Sequence, residues 1–408
     1  MATADRVRWA ASHSWLILAI CVFFVAHSNQ DQWDFRVFHS AAQALNSGAS
    51  PYYAAHPNPL MPSGLSYLYP PVALYAFQPL SGLSFDVARL VWLAMKVLAL
   101  FVLIRLWHRN FEPLDAHWFV FLTMAYNSTL LRDLVAGNIS LFEQLGMWFG
   151  FYLLLKRRPL LAGVVIAAVA QFKLIPVLFL GTLLFIRPTR SWAPFGVALV
   201  AFGAIFSLNF LLTPGSMTEY IHSFATANPN LDERGVVNPS SLALIRDLAD
   251  IAVKRGLPVD RTITNAIYAA YIALVGLIFV WIPRKSLVEL ADKDPRLAIY
   301  YFCVLYALIV PRMKDYSYIL LLMPSLYVVR EVSRGTLKPR LMVPLVGVLM
   351  LVQTNTSIVP VLKSALPLIS GYMPWIATWF VLYYLAFVCR PRPSAAVAEH
   401  AGPEVFAP

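Results

Sequence analysis

Long apolar runs, broken at short intervals by basic or proline-bearing turns, dominate the chain. The pattern is of segments apolar on all sides, and about 20 such residues suffice to cross a bilayer. Runs near 15–27, 87–107, 117–131, 139–155, 192–212, 262–282, 297–311, 319–329, 341–358 and 375–389 predict membrane helices. The run 160–186 is interrupted by Lys173 and Pro176 and predicts two short helices that enter and return, for roughly a dozen crossings in all. Tyr67 to Leu83 is apolar too, but Pro70, Pro71 and Pro79 break it, and it is expected to be re-entrant or interfacial. After the first run, Phe35, Phe38, Ala42 and Leu45 recur at helical spacing, which predicts an interfacial helix with its apolar face toward lipid.

Sidedness follows from the basic clusters, because short loops rich in Lys and Arg stay cytoplasmic. They recur at His108-Arg109, Lys156 to Arg158, Arg187 to Arg190, Arg284-Lys285, Arg330 to Arg340 and Arg390 to Arg392. The longer non-spanning pieces, 28–86 and 213–261, then fall outside the cytoplasm. Arg6 and Arg8 ahead of the first run imitate a signal peptide, but the expectation is an uncleaved first helix within a single all-α, polytopic membrane domain over 1–392. The proline-rich 393–408 is expected to be a disordered cytoplasmic tail.

Composition sharpens this. The 408 residues are 59% hydrophobic and 13% charged, with a mean hydropathy of +0.64, which excludes an ordinary soluble enzyme. The net charge of +11 lies in scattered loop clusters and forms no basic face for nucleic acid. Cys21, Cys303 and Cys389 all sit in apolar runs, so neither a disulfide framework nor a thiolate metal site is expected. His39 and His222 have no partner at ligand spacing and are expected to be interfacial, with no metal and no cofactor required. Phosphate-cradling glycine motifs of the nucleotide-binding kind are missing from the sequence.

Chemistry is then sought in the polar residues next to the membrane. Asp31 and Asp34 share one face at the start of the interfacial helix and read either as helix-terminal acids or as a general base at the membrane surface. Spacing alone favours the former. Arg312 and Lys314 break the positive-inside pattern, reading either as partners of Asp315 and lipid headgroups or as a phosphate site. Lys173, cramped between two short helices, needs an anion, either Glu143 or a substrate phosphate. Arg132, Asp133 and Asn138 crowd one turn and Asn238 and Arg246 another; they read as groove-lining residues or as mutual ion pairs and caps.

Several pieces occur together in an order that resembles glycosyltransferase family 87, among the membrane-embedded GT-C glycosyltransferases. They are DFRVFHSAAQALNSGASPYY from Asp34 to Tyr53, YLYPP at Tyr67 to Pro71, GNISL at Gly137 to Leu141, the run from Lys156 to Pro176, NPSSL followed by Arg246, and PRMKDYSYILLLMP from Pro311 to Pro324. The resemblance implies a GT-C-like bundle in the cytoplasmic (inner) membrane and an extracytoplasmic active site. It further implies inverting transfer of a sugar, mannose or another hexose or pentose, from a polyprenyl-phosphate donor to a cell-envelope glycolipid or glycan. It makes Asp34 the catalytic base and places Asp31, Lys173, Arg312, Lys314, Asp315, Tyr316, Arg132, Asn138, Asn238 and Arg246 as substrate-binding candidates. Where mannose-transferring members tend to carry tryptophan and histidines after the proline, this chain reads Arg312 to Tyr316, which leaves the donor sugar open. The alternatives from other classes are a transporter or flippase of lipid-linked sugars, disfavoured because only one broken helix pair is legible, and a polymerase or ligase of lipid-linked glycans.

Overall fold

The computed structural model describes residues 32–52, 67–114, 116–186, 192–225, 233–281, 294–333, 346–347, 349 and 367–387. The expected first helix at 15–27, most of the run 341–358, Asp31, Cys21, Cys389 and the tail lie outside the described residues. Among the described residues every regular element is helical. The α-helices are α1 (Trp33–Asn46), α2 (Phe85–Asn110), α3 (Ala116–Ala136), α4 (Ser140–Leu155), α5 (Pro159–Val169), α6 (Trp192–Leu212), α7 (Pro214–Ala225), α8 (Ser241–Lys254), α9 (Arg261–Trp281), α10 (Pro295–Ile309), α11 (Leu322–Glu331) and α12 (Met373–Phe387), with a few shorter pieces between.

Among the described residues three helices are long and apolar enough to cross a membrane: Phe85–Asn110, Trp192–Leu212 and Arg261–Phe279. Their outward faces support that role, because Val200 and Leu211 of α6 and Leu277 of α9 are 72%, 75% and 67% exposed, an arrangement that water would penalise. One face of α2 (Ala88, Trp92, Lys96, Ala99, Leu103, Trp107) is buried, while Val87, Leu90, Met95 and Leu98 on its other faces are apolar and exposed. This is a membrane protein. Other apolar runs among the described residues form shorter helices, such as Pro295–Ile309 and Met373–Ala386, packed into the bundle.

The layer α2, α4, α5, α6 packs in sequence, and small residues set the spacing. A Cβ on Gly146 would lie 2.4 Å from Val169, and one on Gly150 2.9 Å from Ile166, so this glycine pair, four apart, lets α4 and α5 approach closely.

The structure revises several expectations. The run 117–131 is no continuous span: α3 is broken at Ala125 to Ser128, where Tyr126, Asn127 and Ser128 adopt φ of 52°, 62° and 57°. Three successive non-glycine residues in the left-handed region are costly and must be held from outside. The Tyr126 hydroxyl meets Ser325 Oγ at 2.7 Å, its ring stacks on Tyr318 at 5.4 Å, and Thr129 Oγ1 donates to the Asp315 carbonyl at 2.8 Å. The run 160–186 divides as its lysine and proline demand, into α5 and a 3-10 helix Ile175–Gly181 continued by Thr182–Phe185. With α3 also interrupted, a single broken pair no longer describes the fold, and that ground for setting transport aside falls away.

The 319–329 run starts as a 3-10 helix, Asp315–Leu321, before α11. The proline stretch 67–83 forms the 3-10 turn Pro71–Ala76 and the short helix Gln78–Ser81, as its prolines require. The apolar face of α1 turns inward and away from lipid: Phe35, Phe38 and Ala42 are buried, with Phe38 stacked on Phe77 at 4.7 Å and Phe35 on Trp92 at 5.3 Å. Protein aromatics supply the apolar partner that sequence reasoning assigned to the bilayer. His39 is buried, with Nε2 3.1 Å from the Leu83 carbonyl oxygen.

Candidate functional site

Beside the start of α1, the ends of several elements enclose a cavity of about 610 Å³. Its floor is α1 with Asp34, Val37 and Phe38; its walls are Leu68 to Pro70, Phe172 to Ile175, Glu143 of α4, Tyr220 and Ile221 of α7, Asn238 with Arg246 of α8, and Pro311 to Ser317. Three of these walls, at Leu68 to Pro70, Phe172 to Ile175 and Pro311 to Ser317, are places where α-helix is interrupted. A backbone that leaves helical geometry can lie within a membrane protein only where protein or a cavity receives its polar groups.

Asp34 is the second residue of α1, which places its carboxylate near the helix N-terminus, yet its bonding partner lies outside the helix. Oδ2 accepts from Asn138 Nδ2 at 2.7 Å, and the Gln32 side chain at the cap position makes no capping bond. Burial raises the Asp34 pKa from the ordinary 3.8, against the opposing pull of Lys314, hydrogen bonds from Asn138 and Tyr316, and Lys173. A partly buried carboxylate of raised basicity facing a cavity has the chemistry of a proton acceptor.

Asn138 follows Gly137, whose φ of 69° belongs to the left-handed region. A Cβ at Gly137 would lie 2.8 Å from Phe35 Cβ and 2.9 Å from Gln32 Cβ, so this glycine lets the first turn of α1 settle onto the α3–α4 connection. The glycine and asparagine of the GNISL motif thus deliver one hydrogen bond to one carboxylate.

Cations ring the cavity. Lys173 Nζ stands 2.7 Å from Glu143 Oε2 and donates to Ser140 Oγ at 2.6 Å. Arg312 and Lys314 do not pair with Asp315; each meets Glu233 at 2.6 Å. Asp315 is taken instead by Arg132, whose Nη1 bonds its carboxylate, and Lys314 lies 5.9 Å from the Tyr316 ring centroid. Of the two readings of these cations, pairing with Asp315 does not occur, since Glu233, 79 positions from Arg312 in the chain, takes both. Asn238 ties two walls together, donating to the Glu233 carbonyl at 2.8 Å and accepting from the Met313 amide at 2.9 Å, while Ser240 caps α8. Arg246 of α8 reaches the lining.

The fold thus gathers Asp34, Lys173, Arg312, Lys314, Tyr316, Asn238 and Arg246 around one cavity, with Asn138 bonded to Asp34. Arg132 and Asp315 form a support behind it, and the crowding of Arg132, Asp133 and Asn138 resolves into three separate partnerships, since Asp133 pairs with Lys96 at 2.7 Å. Asp31 lies outside the described residues. Glu233, Tyr69 and Lys96 were missed. Lys96, in the middle of an apolar run, carried a readable signal: an ammonium in a membrane helix requires a partner. Among the described residues no cluster of His, Cys, Asp and Glu gathers as a metal site.

The family model for glycosyltransferase family 87 matches residues 67–311, which covers more than half of the chain. The match holds Asn138, Lys173, Glu233, Asn238 and Arg246, while Asp34 and Arg312 to Tyr316 reach the cavity from either side of it. No curated protein and no solved structure matches the chain. A membrane bundle that is helical throughout its described residues, a cavity with a partly buried carboxylate among several cations, and a family match across that cavity agree, and the chain belongs to glycosyltransferase family 87.

Proposed function

We propose that the protein is an inverting glycosyltransferase that moves a sugar from a polyprenyl-phosphate donor to a hydroxyl of a glycolipid or glycan on the extracytoplasmic side, with Asp34 as general base. The observation that carries this reading is the charge inventory of the cavity. Lys173, Arg246, Arg312 and Lys314 face Asp34, Glu143 and Glu233, leaving one positive charge over when all are ionised. A lipid-phosphate sugar is a phosphodiester with a single negative charge, and its tail suits a lining that includes Val37, Phe38, Phe172, Ile221 and Leu242.

In the reaction the acceptor oxygen attacks the anomeric carbon from the face opposite the phosphate. A carbon–oxygen bond forms, the sugar–phosphate bond breaks, the acceptor proton passes to Asp34, and the polyprenyl phosphate departs with the bonding electrons. The opposite-face geometry inverts the anomeric centre. As the leaving phosphate gains a second charge, Arg312 and Lys314 meet it, exchanging Glu233 for the phosphate as counter-ion; Lys173 does the same from the α5 side. Asn138 holds Asp34 in the deprotonated form that accepts a proton.

The test is transfer by purified protein in lipid nanodiscs, given short-chain polyprenyl-phosphate sugars and nucleotide sugars side by side, with the product anomer read by NMR. Transfer from the lipid phosphate with inversion is the expected result. Equal use of a nucleotide sugar, or retention of configuration, overturns the reading. Sidedness is checked separately with single cysteines at Ser47 and Arg157 and an impermeant thiol reagent on intact cells: Ser47→Cys should label and Arg157→Cys should not.

A further inference from the structure

The turn that supports Asp34 is held more firmly than a surface connection needs. Lys96 lies in the middle of α2, fully buried, and its ammonium points entirely at this turn. It meets Asp133 Oδ2 at 2.7 Å, the Asp133 carbonyl at 2.6 Å and the Asn138 carbonyl at 2.6 Å, which accounts for all three of its donors. One helical turn earlier Trp92 Nε1 donates to the Gly137 carbonyl at 2.9 Å. The Asn138 side chain is oriented as well: Oδ1 accepts from the Ser140 amide at 3.0 Å and from Ser140 Oγ at 2.9 Å, so Nδ2 faces Asp34.

Ser140 Oγ in turn accepts from Lys173 Nζ. The result is one hydrogen-bond chain with a single direction, from the Lys173 ammonium through the Ser140 hydroxyl and the Asn138 amide to the Asp34 carboxylate. Each link polarises the next toward the anion, and such chains strengthen cooperatively where water is excluded.

We propose that Lys96, Ser140 and Asn138 are positioning residues for the base: the chain from Lys173 through Ser140 and Asn138 keeps Asp34 an aimed, ionised acceptor, and Lys96 clamps the backbone that carries the chain. The proposal rests on the reading of Asp34 as the base. It explains why a cation beside the cavity and a carboxylate within it are joined through neutral side chains: the carboxylate stays accessible to an acceptor while the ammonium faces the phosphate side. The other groups facing Asp34 are Lys314 and Tyr316 ahead of α11 and Tyr69 ahead of the Pro71 turn, with Lys96 and Asp133 behind Asn138. Burial raises the Asp34 pKa against Lys314, the hydrogen bonds from Asn138 and Tyr316, and Lys173, so the Asn138 bond is among the forces pulling it down.

The experiment is an infrared pH titration of the full chain in nanodiscs, following the protonated carboxyl band that Asp34→Asn removes. Asn138→Ala should move its midpoint up by about one pH unit, the expected effect of losing a hydrogen bond to a charged group. Ser140→Ala, which preserves every formal charge and leaves an alanine well tolerated at a helix start, should move it in the same direction by less, and Ser140→Thr should restore it. Lys96→Met should also raise it; where that variant or Asn138→Ala does not fold, the Ser140 pair decides. An unmoved midpoint in Ser140→Ala overturns the proposal, because a residue with only a structural role would lower stability without changing the titration of Asp34. Failure of the underlying reading has a different signature: Asp34→Asn then keeps normal transfer whatever the titration shows.

Discussion

Among the buried and partly buried charges of this bundle, two groups differ in what surrounds them. Around the cavity, Lys173, Arg312 and Lys314 have side chains 18–25% exposed, and each partner carboxylate lines the same void. Beyond the C-terminus of α2, roughly 20 Å along its axis from Lys96 by the helical rise, Glu112 gathers Arg296 and Arg330. There each guanidinium also reaches a backbone carbonyl: Arg296 donates to the Phe111 carbonyl at 2.7 Å as well as to the Asp294 carboxylate, and Arg330 to the Pro113 carbonyl at 2.6 Å. Asp294 and Glu331 are nearly fully buried, and Trp107 packs close by against Phe111's neighbour Trp148. Charges of the second group are bound into the fold as a clasp between α2, α10 and α11. Those of the first group border empty volume and can exchange partners with an incoming anion. Ion pairing alone therefore does not mark a site; the space beside the pair does.

The largest expected effect tests the cavity half of this contrast. Asp34→Asn should lower transfer by 10²–10⁴-fold, as loss of a general base does, while leaving the fold intact. Its stability should even rise slightly near neutral pH. Because the folded pKa lies above the ordinary 3.8, the fold favours the protonated acid, and that contribution is present at acid pH and lost as pH rises through the folded pKa. The neutral amide is spared this loss. In the wild type the same shift places the acid limb of the rate profile above pH 3.8, with activity rising as Asp34 ionises. Near-normal turnover in Asp34→Asn breaks the assignment, and unfolding of that variant breaks the claim that this end of the molecule is built for exchange.

Arg330→Met tests the other half. Leaving Glu112 with one fewer counter-ion in a buried cluster should cost about 3–5 kcal/mol of stability, read as a lowered melting temperature in detergent, with the rate per folded molecule unchanged. A large fall in that rate would make the clasp part of the reaction.

Lys314→Gln and Arg312→Gln should each cost about 3–4 kcal/mol of barrier, a hundred- to thousand-fold in rate, and weaken donor binding. Lys363→Gln serves as the control. Unchanged kinetics in both would reduce the cavity cations to structural pairs like those of the clasp.

The smallest effect is the most discriminating. If Glu233 is the counter-ion that the donor phosphate replaces, Glu233→Gln should tighten donor binding by about tenfold, a coupling of about 1.4 kcal/mol, with little loss of maximal rate. Weaker binding would mean that Glu233 serves to position Arg312 and Lys314, as Glu112 positions Arg296.

The reach of sequence reasoning varied with the kind of interaction. Pro70, Pro71 and Pro79 foretold a stretch that is no span, and Lys173 with Pro176 foretold a divided one, because backbone donors and ring sterics act locally. The break at Ala125 to Ser128 had no such mark: its residues are ordinary, and it is held by Ser325, Tyr318 and Asp315 from nearly two hundred positions away. Lys173 and Glu143 could be paired from their chemistry. Glu233 could not be assigned to Arg312 and Lys314, since nearer Asp315 carried the same charge.

The sequence by itself determined that the chain is a helical membrane protein, where its helices are interrupted by proline and lysine, and which polar residues stand out against an apolar background. These follow from hydropathy and local sterics, which each segment carries within itself. Tertiary structure alone decided that α1 turns its apolar face onto Phe77 and Trp92 and away from lipid, that Asn138 meets Asp34, that Lys96 braces their turn, and that Glu233 faces two cations. Those choices depend on which distant segments share a dry interior, where any buried charge takes the partner that close packing brings within hydrogen-bond reach.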